Sequence, residues 1–245
     1  MKATNIIRDA VTSVALLRQS TIANPALAQA MSDIKQFQSR RFSGTYIDLL
    51  ESDRYKPAVL FFLAELYNDK DYSERDTQFA RIAGALERIF PVPVVQTAVS
   101  LAQLHRLTED LDLAMAQHWL SSANSPEVTR YVMAWRAVAR RTDRNTQLAT
   151  VMEIGHELGR LTRTPGPHLM LKMMRGPANL AGMGSLHRFL ESGFDTFATM
   201  ACQDGGVANF LSTVMARETG LIDRLFDASA VACETEISQL LGQAR

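Results

Sequence analysis

The 245-residue chain lacks most of the features that announce a function. It has two cysteines, Cys202 and Cys233. A disulfide-stapled fold carries more, and a structural zinc site needs several thiols or Cys/His pairs at short spacing. Two small thiols in a reducing compartment are what remains. Neither sign of charge is in excess, since 26 Lys and Arg balance 26 Asp and Glu. A duplex-binding protein needs a cationic surplus to displace counterions from phosphate, so nucleic acid is not the expected partner. No apolar run approaches the roughly 18–20 residues that cross a bilayer. The start, Met-Lys-Ala-Thr-Asn-Ile-Ile-Arg-Asp, contains no signal-peptide core, so a cytoplasmic location without a transmembrane segment is expected. Also missing are a phosphate-loop pattern, a dinucleotide fingerprint and a Gly-x-Ser-x-Gly elbow. Gly182-Met183-Gly184 has no strand before it. A Ser/His/Asp triad leaves no local signature, because folding alone assembles it. The balance leans away from an enzyme.

Strand signals are almost absent too, and helical periodicity fills the chain. Ile7, Val11, Val14, Ala15 and Leu17 share one side of a first helix. Asn24-Pro25 offers a cap and a proline for the first helical position of a second, predicted to end near Phe37. The polar, basic stretch Gln38–Gly44 reads as a loop. Residues 57–67 are apolar on nearly every side, as central helices are. Ser73 is placed to cap a helix whose buried stripe is Phe79, Ile82, Ala83, Leu86 and Phe90. Residues 94–120 form the longest uninterrupted pattern, about 40 Å at 1.5 Å per residue. Further starts are Ser125-Pro126-Glu127 and Asp143, with later helices expected to about Met200, over 207–227 and on to Leu241. Two Gly-Pro steps bracket a short Met-rich helix, and Gly182, Gly184 and Gly193 are candidates for close backbone approach.

No repeat of fixed period is present. The expectation is an all-α fold, a single bundle-like domain of about nine to eleven helices. Residues 1–55 would pack on a core of about 56–228 built around 57–67 and 94–120, with 229–245 as a tail helix.

Residues 61–76 read Phe-Phe-Leu-Ala-Glu-Leu-Tyr-Asn-Asp-Lys-Asp-Tyr-Ser-Glu-Arg-Asp. They resemble an uncharacterised family of bacterial helical proteins that share Phe-Phe-x-x-x-Leu-Tyr followed by Asp-aromatic-Ser-x-Arg-Asp. The likeness recurs at Arg175-Gly176-Pro177-Ala178, at Ala181–Gly184 and at Phe189–Phe194, and ends near Arg217-Glu218. Asn68-Asp69 departs from the Gly-Pro usual there. The resemblance implies a bacterial helical protein and carries over no activity and no catalytic residue.

The leading functional expectation is a non-enzymatic binding module for a protein partner or an apolar or anionic small ligand. Its candidate residues are His168, Met170, Lys172, Met173, Arg175 and His187, which bring cations and adaptable thioethers to the Gly-Pro region. The plainer reading makes the methionines core filler and leaves the cations in water. An alternative is a haem- or iron-dependent oxidase or sensor. Glu153 and His156 form a Glu-x-x-His step as in di-iron bundles, although no second such step exists. His105 and His118 on the long helix are possible haem ligands, against the commoner role of a hydrogen-bonded core histidine. Arg136, Arg140, Arg141 and Arg144 read as a solvated helix end. A homodimer is compatible with all of this.

Overall fold

The computed structural model describes residues 2–202 and 205–244. Thirteen helices and no strand occur among them: α1 Ala3–Ile22, α2 Pro25–Thr45, α3 Ile47–Leu50, α4 Lys56–Glu65, α5 Ser73–Ile89, α6 Val92–Ser121, α7 Glu127–Val138, α8 Arg141–Leu161, α9 Pro165–Met173, α10 Arg175–Leu180, α11 Gly184–Ala201, α12 Gly206–Asp227 and α13 Ala230–Gln243. The all-α class is as expected. Only α3 and α10, of four and six residues, are too short to carry a legible periodicity.

The helices gather into two compact units. The first comprises the chain up to Ala15, Lys70–Arg106 and Thr150–Leu211; the second comprises Leu16–Asp69, Leu107–Ala149 and the chain from Ser212 onward. α1, α6, α8 and α12 each contribute residues to both.

In the first unit, Ile7 and Ala10 of α1, Ala83 and Leu86 of α5, and Ala98 and Ala102 of α6 form one apolar core, with Phe79, Ile82, Phe90 and Val99 against it. The α5 stripe is the one the periodicity predicts, whereas Ala10 and Ala98 lie outside the predicted stripes of α1 and α6 and Ala15 is exposed. α5 also holds α11. Gln78 Oε1 accepts from the Leu186 N–H at 2.8 Å, satisfying a donor that a first helical turn leaves open. Ser185 donates to Glu74 at 2.9 Å. The Arg75 guanidinium lies over the rings of both Tyr72 and Phe189, 3.8 and 4.5 Å from their centroids. α8 and α12 approach through Gly155 and Gly159, where an added Cβ would fall 2.6 Å from a Leu211 methyl and 2.8 Å from a Val207 methyl.

In the second unit, α13 packs on α2 and α7, and α4 on α2 and α3. Gly44 is the tightest point, because an added Cβ would lie 1.8 Å from the Leu240 carbonyl oxygen. The aromatic core joins Phe37 to Tyr131 (4.3 Å) and Trp119 (6.1 Å), and Phe42 to Tyr46 (4.4 Å), Tyr67 (4.3 Å) and Phe62 (6.0 Å).

Several expectations are corrected. Gln38–Gly44 is not a loop but belongs to the C-terminal part of α2, with Gln38, Arg41 and Ser43 buried. The polar groups that argued for solvent find partners inside the unit. α4 is not a central helix. It buries Ala58, Val59 and Phe62 and exposes Leu60, because ten residues offer one face to α2 and α3. Asn24 caps α2 as expected, accepting from the Leu27 N–H at 3.3 Å. Ser73 is the first residue of α5 and does not cap it; the Asp71 carboxylate takes the Ser73 N–H at 2.8 Å. Gly182 serves a left-handed turn (φ +67°) with nothing within 4 Å of an added Cβ, so it admits no close approach.

Candidate functional site

The Gly-Pro steps do not bracket one helix from outside: Gly166-Pro167 lies in the first turn of α9 and Gly176-Pro177 in that of α10, with the break between them at Met174. Pro165 sits at the start of α9, Pro177 lies in α10, and the chain re-enters helix at Gly184. α9 and α10 pack on each other and on α11. α11 supplies His187, Glu191, Phe194 and Asp195, whose spacing puts them on one face.

The candidate residues meet this face in pairs. His168 stacks on Phe194 (5.2 Å between centroids) and its Nε2 lies 2.7 Å from Asp195 Oδ1. Arg175 forks onto Glu191, at 3.1 Å from Nε and 2.5 Å from Nη2. Those hydrogen bonds hold the Arg175 guanidinium above its ordinary pKa. His187 is buried, and its Nε2 lies 2.8 Å from the Leu171 carbonyl oxygen. A carbonyl only accepts, so Nε2 carries the proton. Nδ1 of His187 has no hydrogen-bond partner and lies 3.8 Å from Glu191 Oε2. Three of the expected polar side chains are therefore already engaged.

The apolar residues are not. Leu169 is 60% exposed, Met173 71% and Leu180 92%. Leu169 and Met173 are four apart, about 40° round the helix from each other. Met170 is partly buried and Lys172 exposed.

The residues of the metal reading are dispersed. Glu153 and His156 are exposed on α8, and His156 Nδ1 donates to the Met152 carbonyl at 2.8 Å. His105 lies in the first unit with Nε2 3.0 Å from Asp76 Oδ2, while His118 lies in the second and is exposed. Among the described residues no group of three or more His, Cys, Asp or Glu is arranged to hold a metal ion.

Sequence reasoning missed a buried polar network in the second unit. Arg41 Nη1 donates to Glu218 Oε1 at 2.6 Å, and Tyr46 Oη donates to the same oxygen at 3.0 Å. Lys35 pairs with Glu109 at 2.7 Å, and the Gln38 amide donates to Asp112 at 3.0 Å. Arg144 lies over the Trp135 ring at 4.2 Å and donates to Gln147 at 3.1 Å. Burial works against the Arg41 charge, but the Glu218 carboxylate outweighs it and the guanidinium is held above its usual value. Burial lowers Arg144 and raises the carboxyl of Asp112 and the phenols of Tyr46, Tyr67 and Tyr131. The basic run thus splits. Arg136 donates to the carbonyls of Leu225 and Ala228 at the end of α12, Arg140 pairs with Asp110 and Asp143, and Arg141 pairs with Asp227. Arg144 is not a solvated residue. The only forewarning was its spacing, eight residues beyond Arg136 across a helix break.

No helix among the described residues is long and apolar enough to cross a membrane. No curated protein and no solved structure matches the chain. Residues 17–232 match the family model described as a domain of unknown function (DUF8198), and the chain belongs to that family.

Proposed function

We propose that this is a non-enzymatic binding module of the bacterial cytoplasm, and that α9 and α10 dock an acidic amphipathic helix of a partner protein. The observation that carries it is the exposure of Leu169, Met173 and Leu180 on two short helices packed against each other. Large apolar side chains grouped on a surface are the usual anchor points for a helix laid on its apolar face. The charge of the segment argues for the sign of the partner. No Asp or Glu occurs from residue 158 to residue 190. Lys172 flanks the Leu169/Met173 face, and neither it nor Arg163 has a carboxylate partner among the described residues. A small anion is the weaker occupant here, because His168, Arg175 and His187 already have acceptors. Met170 and Met173 add side chains that reshape to a partner. Two free thiols, Cys202 exposed and Cys233 buried, suit a reducing compartment.

The test is titration of the full chain with a synthetic helix bearing leucines on one face and glutamates on the other, beside its lysine counterpart. The acidic peptide is expected to bind and the basic one not. Met173→Asp and Leu180→Asp should each weaken binding at least tenfold, about 1.4 kcal/mol, with unchanged thermal melts. Equal binding of both peptides would overturn the reading. So would self-association, or sedimentation with anionic vesicles, that these substitutions abolish while the acidic peptide fails to bind.

A further inference from the structure

One stretch of the second unit presents a surface without charge. Ten residues between Leu16 and Ser39 are exposed, and none of them is Asp, Glu, Lys or Arg. A folded surface is charged at roughly 25–35% of its positions, so about three charges are usual over such a stretch. The charged side chains that do occur there are only partly exposed and are taken up within the chain. Lys35 pairs with Glu109 at 2.7 Å, and Asp33 accepts from the Gln29 amide at 2.8 Å and the Trp119 N–H at 3.3 Å. Arg18 is partly buried and engaged. Against this neutral ground Leu16 is 61% exposed and Ile22 73%. At 3.6 residues per turn they stand about 120° apart on α1, with Gln19 midway between them. Polar groups beside them already have partners. The Ser20 hydroxyl donates to the Leu17 carbonyl at 2.8 Å, and the Asn24 side chain accepts from the Leu27 N–H at 3.3 Å. Covering this face removes two large apolar side chains from water and strands few polar groups.

We propose that this face, from Leu16 to Gln29, joins two copies of the chain in an isologous dimer. In a two-fold interface a patch meets itself, so a charge near the axis is brought against its own like charge. A neutral patch escapes that cost, while a charged partner finds nothing on it to select. Gln19 lies at the centre of the face, and its amide both donates and accepts, so it is suited to pair with its own symmetry copy. Ala23 and Ala26 are exposed on the same surface and leave room for close approach. The face shares no residue with the α9–α10 surface, so the two proposals stand or fall separately.

The test is sedimentation velocity of the full chain over a concentration series. The wild-type chain is expected to form a dimer whose share falls on dilution. Gln19→Glu and Gln19→Lys exchange an exposed side chain for good helix formers. Each should raise the dimer dissociation constant at least tenfold, with an unchanged circular dichroism spectrum. Mixing the two variants should restore the dimer, because opposite charges then face each other across the axis. Ile22→Asp should abolish it. The other occupants of a neutral apolar face, a lipid surface or an unrelated protein, leave the wild-type chain monomeric at millimolar concentration, and that result would overturn the proposal. So would a dimer that both Gln19 variants keep, or one that Met173→Asp abolishes. A mixture of the two Gln19 variants that stays monomeric would show that the face does not meet itself, and the isologous arrangement would fall.

Discussion

Arg175–Glu191 and Arg41–Glu218 are the same pair of residue types in two settings. Arg175 comes from a short surface helix with most of its side chain in water, and it reaches one residue of the neighbouring helix. Arg41 comes from the C-terminal part of a long helix, is buried, and shares its carboxylate with the Tyr46 hydroxyl. The two carboxylates are equally buried, but in the first pair water can still solvate the guanidinium. The second has no solvent to fall back on, so each member fixes the others. The difference teaches where an arginine specifies a fold and where it only decorates one.

The sharpest way to break this contrast is Glu218→Ala. It leaves the Arg41 charge and the Tyr46 hydroxyl without their shared acceptor, and a loss of about 3–5 kcal/mol in urea unfolding is expected. Arg175→Gln should shift the same curve little, and the shift should shrink further in added salt. Equal losses would show that depth is not what separates the two pairs.

The next test moves from charge to close approach. Gly44→Ala drives a methyl into the Leu240 carbonyl, which cannot move without its helix. Gly159→Ala meets the end of the Val207 side chain, which can turn aside. Overpacking costs roughly 1–3 kcal/mol and sometimes more. Gly44→Ala is expected at or above that range and Gly159→Ala toward its lower end, read from denaturation midpoints. The reverse order would mean that α2 and α13 yield more easily than one valine rotamer.

The smallest effect lies in pH dependence. Burial raises the folded pKa of Asp112, so its favourable contribution is complete below the usual carboxylate value and is lost as pH rises through the raised one. Hydrogen bonds from Gln36 and Ser32 depress Asp69, whose contribution is present above the usual value and is lost as pH falls through the depressed one. The melting difference between Asp112→Asn and wild type should therefore become more favourable to the variant from about pH 4 to 7. For Asp69→Asn the difference should stay nearly flat over that range and turn more favourable to the variant only as pH falls below about 4. Parallel trends would remove the distinction between a carboxylate that burial opposes and one that donors support.

The helices were largely legible because their signals are local. The Asn24 cap, the prolines and the stripe through Phe79, Ala83, Leu86 and Phe90 each act within a few residues, and the structure keeps them. The surface at Leu169 and Met173 was legible in part, since the Gly-Pro brackets and methionines mark it, but their exposure was not. The buried network was illegible. Gln38 finds Asp112 74 positions away and Arg41 finds Glu218 177 positions away. Until those partners are known, a run with Arg40, Arg41 and Ser43 reads as solvated. By itself, then, the amino-acid order determined that this protein is helical and roughly where each helix begins, because backbone hydrogen bonding and apolar periodicity are short-range. Only the tertiary structure decided which charges enter the interior, because a buried ion is tolerable solely where distant parts of the chain bring its counter-charge.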